Sequence, residues 1–407
     1  MRFYAIKVSS ANSPVGLGSV SGAANIVNAG TALAGLSDTA IPALISSNPY
    51  GAQWISVVNG QNDPGALDID FDITVTAGAP VGSLTIKGIT QSDISQATYL
   101  TGARIQIFAG FTEGLPLANN QVLHQGLICD GQIYPAFGNW TGNDLSLTFI
   151  IKPGNQTGIG GPTDPKNIVH NLQKNVPLSS AIQQALTTAF PNSQFLINIK
   201  QSLVLNEPDQ GFYQGMEQYM NYIKSLSHSI AGTPSTTGYQ GVQVFPVGYQ
   251  KYVVTDFSNP GVPIQLLFED LIGQPVWIGV NTIQIKTALR ADINAAMSTG
   301  SNVNVTLPAN NSVPLLVGVQ AGGALGLNSP GWTNFYEHGN QLLFSGSWLV
   351  NNIRHIGHYR QHTGTDWVSV IEATSQGFAA GMATISSTGG IQQFNTTGEG
   401  SGVGSST

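Results

Sequence analysis

Apolar and polar positions alternate from the start of the chain. Residues 1–9 (MRFYAIKVS) read as a strand, while 10–50, rich in Gly, Ala, Ser and Asn, has weak periodicity and reads as a long loop or arm. From about 54 to 152 a period of two dominates. ALDIDFDITV (66–75), SLTIKGI (83–89), ARIQIFAGF (103–111), LHQGLICDGQIY (123–134) and DLSLTFIIK (144–152) follow one another, separated by turn residues in the rhythm of a β-barrel or sandwich. The period then lengthens. PLSSAIQQALTTAFP (177–191) predicts a helix, with Ser180 and Gln183 as a capping box and Pro191 as its stop. A second helix is expected from about Asp209 to His228, because Phe212, Met216, Tyr219, Met220, Ile223 and Leu226 fall on one face. That stripe reads as core packing, with a partner groove as the alternative.

Strand patterns resume at YQGVQVFPVG (239–248), KYVVTDF (251–257), IQLLFEDLIGQPVWIG (264–279), NTIQIKTALRADI (281–293) and NVNVTLP (302–308). A last pair, QLLFSGSWLVNNIRHIGHYR (341–360) and DWVSVIEAT (366–374), precedes a Gly/Ser/Thr-rich stretch without periodicity. The pattern predicts a mainly β chain with an α/β insert. A first β-rich domain spans 1–155 with its long N-terminal loop, the helix-containing insert 156–236, a second β-rich domain with the closing hairpin 237–375, and a flexible tail 376–407.

Composition changes the picture in one respect. Charged residues make up 9% of the 407 residues, against roughly a quarter in ordinary globular proteins. With 49 glycines and 21 prolines, the surface is polar but weakly charged, which suits a protein that covers much of its outside in an assembly. A net charge of −7 argues against a protein that grips nucleic acid, though passive contact is compatible with it. The single cysteine, Cys129, excludes an internal disulfide framework and a thiolate zinc cage. No secretory signal and no apolar run long enough to span a membrane are found.

No motif for hydrolytic, nucleotide or dinucleotide chemistry is present: HExxH, G-x-S-x-G and the Walker loop are missing, and GLGSVSG (16–22) misses the dinucleotide fingerprint by one position. No cofactor is expected. Two polar patterns stand out. In ALDIDFDITV, alternation puts Leu67, Ile69, Phe71, Ile73 and Val75 on one face and Asp68, Asp70 and Asp72 on the other. Aspartate is a poor strand former and three on one face repel, so the stripe reads either as a solvated face or protected edge, or as an acidic wall facing a channel. A looser metal site is a third reading. The second pattern, NIRHIGHYRQH (352–362), holds three of the seven histidines, His355, His358 and His362. Their spacing would suit a metal on a helix, but the alternating flanks and Gly357 predict a strand, in which His355 and His358 diverge.

Four segments, in order, resemble the baseplate hub family of phage tail proteins: GARIQIFAGFTEGLPLANNQVLHQGLICDGQI, PLSSAIQQALTTAFP, IQLLFEDLIGQPVWIGVNTIQIKTALRADI and FSGSWLVNNIRHIGHYRQHTGTDWVSVIEAT. The resemblance implies a homotrimer in which each chain supplies two tail-tube-like β-barrels, joining the tail tube to the central spike and to neighbouring baseplate proteins. It implies a virion protein without enzymatic activity, made in the host cytoplasm, with DNA passing through its lumen. Asp68, Asp70 and Asp72 are then candidate channel-lining residues, and His355, His358 and Arg360 candidate interface contacts. The alternatives are the hub of a related contractile injection system or a non-contractile tail tip; a receptor- or polysaccharide-binding tail protein, against which the absence of repeats speaks; and a hydrolase with scattered carboxylates.

Overall fold

The computed structural model describes residues 2–9, 53–58, 61–77, 81–95, 97–111, 124–153, 167–231, 239–258, 264–266, 270–273, 275–279, 282–297, 304–307, 346–361, 365–375, 383–385 and 391–393. The expected loop at 10–50 lies outside them.

The first β block contains β1 (Arg2–Ser9), β2 (Gln53–Ile55), a small hairpin of β3 (Val57–Val58) and β4 (Gln61–Asn62), then β5 (Asp68–Thr76), β6 (Gly82–Lys87), β7 (Arg104–Phe111), β8 (Gly126–Thr141) and β9 (Asp144–Pro153). Alternation places one side of each long strand inside. Ile69, Phe71 and Ile73 of β5 join Leu84 and Ile86 of β6, Ile105 and Ile107 of β7 and Leu147, Phe149 and Ile151 of β9 in a single core. The sheet curls enough for Trp54 of β2 to meet Phe149 of β9, with ring centroids 6.2 Å apart.

An α/β unit follows, with β10 (Ile168–Leu172), a helix Leu178–Ala189, β11 (Gln194–Asn198), β12 (Asp209–Tyr213), a helix Met216–Ala231, β13 (Gln243–Gly248) and β14 (Lys251–Thr255). The first helix begins two residues before the expected capping box. Its N-cap is Pro177, which has no side-chain oxygen, and Ser180 sits inside the first turn. The free N–H of Leu178 is satisfied instead by the Leu203 carbonyl, 2.8 Å away, a tertiary contact that no local signature encodes. The second helix starts seven residues later than its apolar stripe suggests. Residues 209–213 pair with β10 as a strand and leave Phe212 60% exposed, with Gly211 and Gly215 interrupting the helical pattern. β14 pairs in parallel with β11 and antiparallel with β13, so these two strands complete the α/β unit. Their alternation serves two cores: Val244 points into the α/β core and Phe245 into the next one.

The second β block contains β15 (Ile264–Gln265), β16 (Val276–Trp277), β17 (Thr282–Ala288), a short helix Asp292–Met297, β18 (Asn304–Leu307), β19 (Gly346–His358) and β20 (Trp367–Ser375). Within the expected tail, β21 (Ala383–Ile385) and β22 (Ile391–Gln393) pair as a short hairpin.

One large sheet runs β16-β17-β20-β19-β5-β6-β9-β8-β7-β1-β2, with β18 also on β19 and β15 on β18. Among the described residues this order ends at β16 and β2 and does not close, so it forms an open sheet where two closed barrels were expected. β5 of the first block pairs with β19 of the second, from Asn352↔Thr76 to His358↔Asp70, and this seam makes the two β blocks one sheet.

Candidate functional site

The seam joins the two patterns that the sequence offered as candidate sites. β5 buries Ile69, Phe71, Ile73 and Val75 and turns Asp68, Asp70 and Asp72 to the opposite face, as alternation predicts. β19 lies antiparallel beside it and brings its own polar residues to that face. Arg354 Nε donates to Asp72 Oδ1 at 2.8 Å, and its Nη2 donates to Asp72 Oδ2. His358 Nδ1 lies 2.9 Å from Asp70 Oδ1. The Arg360 backbone N–H donates to Asp68 Oδ1 at 3.2 Å, while its guanidinium donates to the Ala66 carbonyl at 2.7 Å. From the other flank, Lys87 on β6 forms ion pairs with Asp70 and, at 3.6 Å, with Asp68.

The three aspartates therefore stand in a ladder of mixed charge. Repulsion among them is offset by a cation on each side, which is how a strand can carry three carboxylates on one face. The hydrogen bond from Lys87 to Asp70 raises the lysine pKa, and the Asp72 carboxylate does the same for Arg354. Both cations keep their charge throughout the physiological range. Beside the Asp72–Arg354 pair lies a shallow depression of about 330 Å³ lined by Thr74, Val81, Gly82 and Ser83. Beneath the ladder, Arg2 of β1 donates to the carbonyls of His358, Tyr359 and Gln361, and so ties the exit of β19 to the first strand of the chain.

His355 has a different place from the one expected. It points to the other side of β19 and is fully buried, with Nδ1 2.8 Å from Ser369 Oγ. Burial pushes its pKa down to about 3, which keeps the imidazole neutral. Completely enclosed by its own chain, it has no surface to offer a partner and acts as a core histidine. His358 and Arg360 are on the ladder face, and His362 lies outside the described residues.

Sequence reasoning passed over a buried ionic cluster just inside the seam. Arg290, 1% exposed, donates from Nε and Nη2 to Asp292 and from Nη1 to Asp270, at 2.7–3.1 Å. His124 Nε2 lies 3.4 Å from Asp270. The Arg290 backbone N–H donates to Ser369 Oγ, the same hydroxyl that meets His355. The signal available was the rarity of charge: Asp270, Arg290 and Asp292 sit in apolar text in a chain with few charged residues.

Neither a protein-family model nor a curated protein matches the chain. Solved structures are similar to the chain at low identity and with TM-scores below 0.5. One is a tail protein from Neisseria meningitidis MC58, 9% identical, aligned over 76% of this chain and 96% of that one, with a TM-score of 0.40. Another is the 43 kDa tail protein of prophage MuSo2 from Shewanella oneidensis, 10% identical over 76% and 97%, with a TM-score of 0.38. A third is a half-lidded Francisella PdpA–VgrG complex, 9% identical over 92% of this chain and 58% of that one, with a TM-score of 0.41. The structural neighbours of this chain are thus phage tail proteins and PdpA–VgrG complexes.

Proposed function

We propose that the protein is a structural tail hub: a homotrimeric adaptor that joins the tail tube to the central spike and to surrounding baseplate proteins, around a channel for DNA. The reading starts from the ordered resemblance of four segments to that family. The observation that carries it is the open sheet. Among the described residues the sheet order ends at β16 and β2, and the end of a sheet is a template for pairing with another chain. Here the β16 end carries Val276 at 56% and Ile278 at 47% exposure, an apolar edge that a free monomer would expose to water. Head-to-tail contacts between copies close into a ring when the rotation permits. Within such a ring the two curled halves of the sheet act as the tube-like units.

The seam ladder is the proposed channel-facing surface, with Asp68, Asp70 and Asp72 as its acidic rungs. Its alternation of carboxylates with Lys87, Arg354, His358 and Arg360 gives a polyanion neither a strong grip nor strong repulsion. Electron microscopy of the purified chain tests the reading: a three-fold ring with a central pore is expected, and a monomer at micromolar concentration would overturn it. Val276→Lys should dissolve the ring and leave the circular dichroism spectrum unchanged.

A further inference from the structure

The α/β unit holds a second concentration of polar side chains, and this one is buried. Register sets its arrangement. On the inner face of the β10–β12 ribbon His170 lies opposite Gly211, with Asp209 and Tyr213 on either side of that glycine along β12. Gly211 has no side chain, and the Tyr213 hydroxyl folds back into the space, 2.2 Å from where a Cβ would stand. The Met216–Ala231 helix closes the site with two tyrosines. The His170 ring lies 5.6 Å from that of Tyr219 and 5.5 Å from that of Tyr222, and Tyr213 stacks on Tyr222 at 4.6 Å.

Three buried polar atoms here have no hydrogen-bond partner among the described residues: His170 Nε2, Asp209 Oδ2 and the Tyr222 hydroxyl. Buried polar groups are rarely left so, and three on one small patch call for a common occupant. The other histidine nitrogen is committed, with Nδ1 2.9 Å from the Tyr219 hydroxyl. A histidine fixed through one nitrogen and open at the other has the arrangement of a metal ligand held by its outer shell.

We propose that His170 Nε2, Asp209 Oδ2 and the Tyr222 hydroxyl oxygen bind one divalent first-row transition cation, which fastens the β10–β12 ribbon to the Met216–Ala231 helix. The carboxylate repels an anion. The stacked tyrosine rings leave no gap between them for an organic ligand. One imidazole with oxygen donors is a set suited to zinc and its neighbours, with water completing the coordination. Tyr219 is a positioning residue that acts through His170.

The test uses the untagged full-length chain, stripped with chelator and then titrated with Zn²⁺ in competition with a chromophoric chelator. One equivalent is expected to bind tightly. Asp209→Asn and His170→Gln should each weaken it by at least about tenfold, and Tyr219→Phe by about tenfold. His358→Gln, on the seam, should leave it unchanged. Co²⁺ in place of zinc should give a visible ligand-field band that Asp209→Asn abolishes. Asp209 is half-buried, so this variant keeps the readout if His170→Gln fails to fold. A wild-type chain that folds but retains no equivalent, its polar atoms served by water only, overturns the proposal. So does unchanged affinity in Asp209→Asn.

Discussion

His358 and Asp70 face each other across the β5–β19 seam, Nδ1 2.9 Å from Oδ1, although they are 288 residues apart in the chain. Two patterns that look unrelated in sequence, an acidic strand and a histidine-rich one, are the two halves of a single charge ladder. Each explains the other: the carboxylates need cations beside them, and the cations of β19 need a reason to line up.

The best-formed rung, Asp72–Arg354, is also the most exposed, with side chains 40% and 52% accessible. Solvent screening limits such a pair to about 0.5–1 kcal/mol. Arg354→Asp should lower stability by about that amount or somewhat more, since it sets like charges opposite each other. Combining it with Asp72→Arg should restore most of the loss. Urea unfolding of the four proteins gives the coupling directly, and additive effects would mean that the rung contributes nothing.

The alternation of β5 and β19 and the helix at 178–189 were legible, because each rests on a local period. The seam was not, since antiparallel pairing of strands nearly 300 residues apart leaves no trace in either strand alone. His355 shows the limit sharply. Strand geometry correctly separates it from His358, but periodicity does not say which of the two faces is inside. The faces of β19 are decided by Ile353, Ile371 and the rest of the core. His170 and Asp209 escaped notice for a similar reason: they lie on different strands, and Asp209 sits in text that reads as the start of a helix.

Gly357 interrupts the histidine run for a packing reason. A Cβ there would stand 2.2 Å from Cζ of the Phe71 ring, which is buried and packs edge-on against Trp367 at 5.0 Å. A ring held in a filled core cannot move aside cheaply. Gly357→Ala should therefore destabilise by about 1–3 kcal/mol, read as a lowered urea midpoint. Pairing it with Phe71→Leu should recover part of the loss, and a neutral Gly357→Ala would show that the seam is looser than its geometry implies.

Arg290 balances two buried carboxylates, Asp270 and Asp292, at 6% and 4% exposure. Arg290→Met keeps the volume and removes the charge, which takes the guanidinium away from both buried carboxylates. The cost of breaking such a cluster from one side is about 3–5 kcal/mol. The variant should express poorly or melt well below the wild type. Asp270→Asn and Asp292→Asn added together should rescue it, because the two buried carboxylates that Arg290 balances are then neutral. A lone Arg290→Met with wild-type melting would contradict the cluster.

His355 gives the fold a dependence on pH whose direction follows from its burial. Its ordinary value of 6.5 applies in the unfolded chain and falls to about 3 when folded. Between those limits the unfolded chain binds a proton that the folded chain refuses. Stability contributed by the neutral histidine is thus complete above 6.5 and is lost as pH falls toward 3, at up to about 1.4 kcal/mol per pH unit. Other ionisable groups of the chain also respond to pH, so the comparison must be differential. His355→Gln retains a polar group that can reach Ser369 Oγ and removes the titration. Unfolding midpoints measured from pH 7 to pH 4 should fall more steeply for the wild type than for His355→Gln, even if the variant starts lower. Parallel profiles would place His355 in contact with water.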